Sequence, residues 1–194
     1  FCGRLKNNRA EHIALICVCI ISIIMAYIVL SLFSAPIQYV SAGVFIYLLL
    51  LLAIIDFRTQ LLPDIITRPL ILLGIMQGYF GIFSNLYDSI LGSVIGYWLL
   101  WGLNFAYRRI RGTDGMGYGD FKLLSAIGAW LGWNMLPLVI LFSSLVGATV
   151  GIGLVLAARL KKSIPIPFGP YLVGGALIAL FWGEKLNYAY HGLF

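Results

Sequence analysis

Residues 12–55 read HIALICVCIISIIMAYIVLSLFSAPIQYVSAGVFIYLLLLLAII, 44 consecutive positions without Asp, Glu, Lys or Arg. About 20 apolar residues cross a bilayer as a helix, so this stretch holds two spans, and Ser34-Ala35-Pro36 is the turn between them. Further uncharged runs follow at 69–87, 89–107, 123–158 and 163–183. The whole chain of 194 residues is 61% hydrophobic and carries 13 Lys+Arg and 7 Asp+Glu. An ordinary soluble domain is roughly one quarter charged, so a soluble globule is excluded. A β-barrel would alternate in segments of about 10 residues, so that class falls as well. What remains is an all-α, polytopic transmembrane helical bundle.

Splitting the runs at their breakers predicts seven helices, at about 13–33, 37–56, 65–83, 88–107, 120–133, 135–158 and 168–183. Ser84-Asn85 and Gly132-Trp133-Asn134 supply the later turns. The 120–133 segment reaches only about 21 Å at 1.5 Å per residue, so it is a short tilted helix or one that starts below the membrane surface. Lys and Arg near helix ends stay on the cytoplasmic side. With the N-terminus cytoplasmic, 12 of the 13 basic residues fall inside, and Lys185 alone falls outside. The net charge of +6 therefore reports orientation and not nucleic-acid binding. Residues 1–194 form a single transmembrane domain without an internal repeat. Cys17 and Cys19 lie two apart on one helix, and with Cys2 they build neither a disulfide framework nor a metal site. Trp130 and Trp133 are expected in the aromatic belt at the far interface.

Ionised carboxylates at membrane depth are costly and are usually paired or functional. Asp88 fits an ordinary helix start, and Asp114 falls in the polar loop after Arg108-Arg109-Ile110-Arg111. Asp56 closes one uncharged segment and Asp120 opens another, 64 residues later. Two intervening spans, one out and one back, return both to the cytoplasmic face. Two neighbouring carboxylates do not both ionise easily, so one holds a proton while the other acts as base, the arrangement by which aspartic proteases activate water. Taken singly, each aspartate also reads as a membrane-boundary or helix-terminus residue. The loop before Asp120, Gly115-Met116-Gly117-Tyr118-Gly119, strips side chains from alternate positions, which suits close approach by an extended chain and backbone conformations closed to other residues. It lacks the Gly-Lys-Ser/Thr ending of a phosphate loop.

Gly117-Tyr118-Gly119-Asp120-Phe121-Lys122-Leu123-Leu124, the segment Ile55-Asp56-Phe57-Arg58-Thr59-Gln60-Leu61-Leu62-Pro63-Asp64, and Ile166-Pro167-Phe168-Gly169-Pro170-Tyr171 together resemble the type IV prepilin peptidase family. These are bacterial inner-membrane aspartic proteases. The resemblance implies that Asp56 and Asp120 are the catalytic pair on the cytosolic side. It implies as substrates the prepilins of type IV pili and the pseudopilins of type II secretion, cleaved after the glycine that ends a short basic leader. Fuller members then methylate the new N-terminus with S-adenosylmethionine. They usually begin with another membrane helix and a cytoplasmic domain bearing Cys-x-x-Cys pairs that look like a zinc site. Here Phe1-Cys2-Gly3-Arg4-Leu5-Lys6 precedes the first span, so the part is missing or the chain is a shorter variant, and the resemblance carries proteolysis further than methylation. Archaeal preflagellin peptidases would share the loop; presenilin-type proteases resemble it too, but Leu62-Pro63-Asp64 favours the bacterial family.

Gly117 and Gly119 are expected to let an unwound substrate segment lie against the loop. Pro63 is expected to stop one segment and Asp64 to cap the next. Lys122, two positions past Asp120, points to another helix face and is expected to reach headgroups or substrate. Proteolysis by this pair needs neither metal nor covalent intermediate. The competing class, a small transporter or proton channel, would need polar residues at mid-depth in several helices, whereas these spans are almost wholly aliphatic, glycine or aromatic.

Overall fold

Uncharged runs bounded by proline, asparagine and glycine fold as helices, because a lipid-facing backbone must satisfy its polar groups within its own segment. A computed structural model describes residues 29, 35–112, 115–156 and 167–191. Helix α1 covers Pro36–Thr59, α2 Asp64–Tyr79, α3 Leu86–Arg111, α4 Tyr118–Leu131, α5 Leu136–Leu156 and α6 Gly169–His191, with a 3₁₀ turn at Trp133–Met135. Among the described residues there is no strand. The expected span 13–33, all three cysteines and Asp114 lie outside the described residues apart from the helical Val29. Packing separates Phe1–Gly43 from Val44–Phe194. Of the first unit, residues 36–43 are the opening turns of α1, and the second unit carries the remainder of α1 together with α2 to α6.

Among the described residues, three helices are long and apolar enough to cross a membrane: Pro36–Thr59, Leu86–Arg111 and Trp133–Gly153. Gly169–Gly183 is a shorter apolar helix. The 16 residues of α2 and 14 of α4 span roughly 24 and 21 Å at 1.5 Å per residue. Almost every residue of α4 from Asp120 onward is buried by neighbouring helices. Its central place rests on small residues. A Cβ on Gly92 or Gly128 would run into the other's backbone carbonyl, and one on Gly96 would sit 2.7 Å from the Leu124 carbonyl. Gly92 and Gly96, four apart, thus let α3 lie directly on α4, the small-xxx-small packing of membrane helices.

The helix boundaries have local causes. Asn85 Oδ1 accepts the Asp88 N–H at 2.8 Å and starts α3. Gly112, at φ 74°, ends it by donating its N–H to the Arg108 carbonyl, beside three arginines that complement the helix's negative end. Helix α2 ends at Tyr79, four residues before the expected 83, because Gly81 turns the chain at φ 64° and the Gln77 amide oxygen takes the Phe83 N–H at 3.0 Å. In contrast, α6 continues to His191, eight residues past its expected end, since no proline or glycine follows Gly183 before that point.

Trp130 corrects another expectation. It is 3% exposed in the core and not in an interfacial belt, stacked on Phe45 with ring centroids 4.6 Å apart and with Nε1 donating to the Leu70 carbonyl at 2.8 Å. Trp133 is partly exposed, and its Nε1 donates to Asp88 at 3.0 Å.

Candidate active site

The end of α1, the glycine loop, the start of α4 and the start of α6 meet around a cavity of about 750 Å³. Asp56 and Asp120 both line it, although their residues are only 5% and 7% exposed. Asp56 sits one turn before the end of α1, whose ladder its own carbonyl continues by accepting the Gln60 N–H at 2.8 Å. Its Oδ2 accepts the backbone N–H of Gly169, 113 residues away, at 3.1 Å. Asp120 is the third residue of α4, where its backbone N–H donates to Gly117 at 3.1 Å.

The loop glycines owe their place to packing. Gly117 has φ −74° and ψ 145°, an extended conformation open to any residue, so the expectation of a backbone reserved for glycine does not hold there. A Cβ on Gly119 would sit 2.8 Å from the Leu62 side chain, and one on Gly115 would sit 2.7 Å from the Tyr107 ring. A Cβ on Gly117 would make ordinary contact with Asp120 Oδ2 at 3.9 Å, so at this position the loop is open toward the carboxylate.

Lys122 and Asp64 are brought together from 58 residues apart, with Lys122 Nζ 2.5 Å from Asp64 Oδ1. Arg68 approaches the other oxygen at 2.8 Å. The Lys122 hydrogen bond, reinforced by Arg68, holds the Asp64 carboxyl below the usual carboxylate range. Lys122 lines the cavity, and its charge is engaged by Asp64. Pro63 occupies the N-cap of α2, and Asp64 is the first helical residue, making no capping bond; this replaces the expectation that Asp64 caps the helix. Among the described residues no group of three or more His, Cys, Asp or Glu could hold a metal.

Residues 43–152 match the type IV leader peptidase family. The chain belongs to this family. It is 50% identical over 141 residues to a prepilin leader peptidase/N-methyltransferase of Aeromonas hydrophila, a match covering 73% of this chain and 49% of that protein. Proteins of the same name from Pseudomonas aeruginosa and Burkholderia pseudomallei are 46% identical over 142 residues and 42% identical over 135. Those matches cover 73% and 70% of this chain and 49% and 44% of the respective relatives. The chain thus spans about half the length of the curated relatives it matches. No solved structure matches it.

Within this family member, two site contributors escape a reading of the sequence. Asn104, buried on α3, accepts the N–H groups of both Gly115 and Met116 on Oδ1, at 2.9 and 3.2 Å, and so tethers the glycine loop. Its sole visible signal is an amide in an otherwise apolar run. Gly169 belongs to the third motif, but nothing in that motif announces a bond to Asp56. Other buried polar groups serve the helices: Gln77 donates to the Trp130 carbonyl at 2.8 Å, and Ser93 and Ser125 bond to each other at 2.9 Å.

Proposed function

We propose that this protein is an aspartic endopeptidase of the bacterial inner membrane that removes the leader of type IV prepilins or type II secretion pseudopilins after glycine. The observation that carries this reading is the burial of Asp56 and Asp120 together in one cavity, inside a chain of the type IV leader peptidase family. The substrate class comes from the family resemblance and from the name its relatives carry.

In the proposed reaction the substrate's apolar helix enters from the lipid while its basic leader stays in the cytosol. An unwound segment lies along the glycine loop beside Gly117. One aspartate takes a proton from water as the water oxygen bonds to the scissile carbonyl carbon, and the other donates its proton to the carbonyl oxygen. Collapse of the tetrahedral species breaks the C–N bond and returns a proton to the departing amine. The attacking water must be admitted while bulk solvent is kept from the crowded carboxylates, and a cavity lined by two nearly buried aspartates suits both needs.

The orientation that suits this chemistry has the N-terminus and the aspartates cytoplasmic, with residues 1–194 forming one transmembrane peptidase domain of seven helices. The relatives' second name, N-methyltransferase, points to S-adenosylmethionine as a methyl donor for the new N-terminus. In the cavity, Asp56 and Asp120 would complement the sulfonium and ammonium groups of that molecule, while Lys122, the cation of the lining, is bonded to Asp64.

The test incubates the protein in lipid with a prepilin or pseudopilin and follows the substrate's N-terminal mass. Wild type should release the leader, and Asp56→Asn or Asp120→Asn should cut the rate to about one-thousandth or less while leaving membrane insertion intact. Turnover retained in either variant rejects the pair.

A further inference from the structure

Asp56 stands at the end of a helix and would have several staggered orientations available were nothing else in contact with it. What meets it is the first turn of α6. The Gly169 N–H reaches Oδ2 at 3.1 Å, and a Cβ at Gly169 would sit 2.5 Å from Oδ2, 3.0 Å from Cγ and 3.3 Å from the Asp56 Cβ. Real Cβ atoms do not approach that closely, so an alanine would push the Asp56 carboxylate off its place in the cavity it lines. The first turn is itself anchored. The Phe168 carbonyl accepts the N–H groups of Tyr171 and Leu172 at 3.1 and 3.2 Å, Leu172 is fully buried, and Gly175 lies against the Val139 carbonyl of α5. Just before this turn, Pro167 and Phe168 line the cavity.

We infer that Gly169 is a positioning residue for Asp56, a backbone donor whose missing side chain lets α6 fix the orientation of the carboxylate in the cavity. This rests on the proposed role of Asp56 in cleavage. It turns the start of α6 from a connecting segment into the third wall of the site.

The experiment compares full-chain Gly169→Ala with Gly174→Ala, a control on the same helix where a Cβ meets nothing within 4 Å. Gly169→Ala should lower kcat about 100-fold with KM little changed, the expected result of displacing a reacting group by about 1 Å. Gly174→Ala should keep the wild-type kcat. A thermal-unfolding cycle reads the contact without activity: Gly169→Ala should lower the midpoint, and adding Asp56→Ala should restore it by removing the obstructing carboxylate. Wild-type kcat in Gly169→Ala, or additive midpoints in the cycle, would overturn the inference. A wild type that cleaves nothing would instead count against the proposed function, with the thermal cycle still deciding the contact.

Discussion

Asp64 receives Lys122 on one carboxylate oxygen and Arg68 on the other, at the point where α1 gives way to α2. Because Lys122 and Arg68 lower its carboxyl's titration, the stabilisation it supplies is complete above the ordinary carboxylate value of about 3.9. That stabilisation is lost as pH falls through the lowered native value. Asp64→Asn should therefore flatten the acid side of a thermal-midpoint profile taken from about pH 5 down to pH 3, and a profile identical to wild type would show that the bridge contributes nothing. The effect is modest, since both partners keep contact with solvent. The bridge has a second consequence. It engages Lys122, a cation in the cavity wall, with a partner other than the buried aspartates, which in the proposed mechanism share a proton.

Among the elements, α4 carries the most constraint, because it brings Asp120 to the cavity while being enclosed by α2, α3 and α6. Gly128 is where α3 and α4 touch backbone to backbone. Gly128→Ala should cost about 1–3 kcal/mol through overpacking, seen as a lower unfolding midpoint in detergent. The glycine loop is held from the side by Asn104. Asn104→Leu, close in size but without the acceptor, should release the N–H groups of Gly115 and Met116 and lower cleavage about 30-fold, the factor that corresponds to two net hydrogen bonds of about 1 kcal/mol each. Asn104→Asp keeps an acceptor at the same place and should recover part of that loss. Equal rates in the leucine and aspartate variants would deny the tether a role in cleavage.

At the scale of the molecule, the proposed orientation rests on charge. Arg108, Arg109 and Arg111 end α3, and Arg58 lies at the end of α1, so two spanning helices finish in basic residues. A cysteine at position 111 should react with a membrane-impermeant maleimide only when the cytoplasmic face is opened, and one at position 185 should react in intact cells once the outer membrane is permeabilised. The reverse pattern would place the aspartates on the wrong side for a cytosolic leader.

Hydropathy and turn residues alone establish a helical membrane protein, because in lipid a length of uncharged backbone has few other choices. Pro36, Asn85 and Gly132 mark boundaries by local rules, whereas α3 runs on past the expected 107 to Arg111, and the proposed pair rests on the two aspartate motifs and the family they resemble. Packing governs what local rules do not reach. Trp130 reads as interfacial by its position in the chain, and its burial depends on Gly74 leaving room on α2 and Phe45 offering a ring on α1. Asp64 reads as a cap, and only the arrival of Lys122 from another helix makes it an ion-pair partner. Gly169 and Asn104 acquire their partners across 113 and 11 residues. Such contacts depend on how helices cross, and helix crossings are set jointly by many small side chains and not by any one motif.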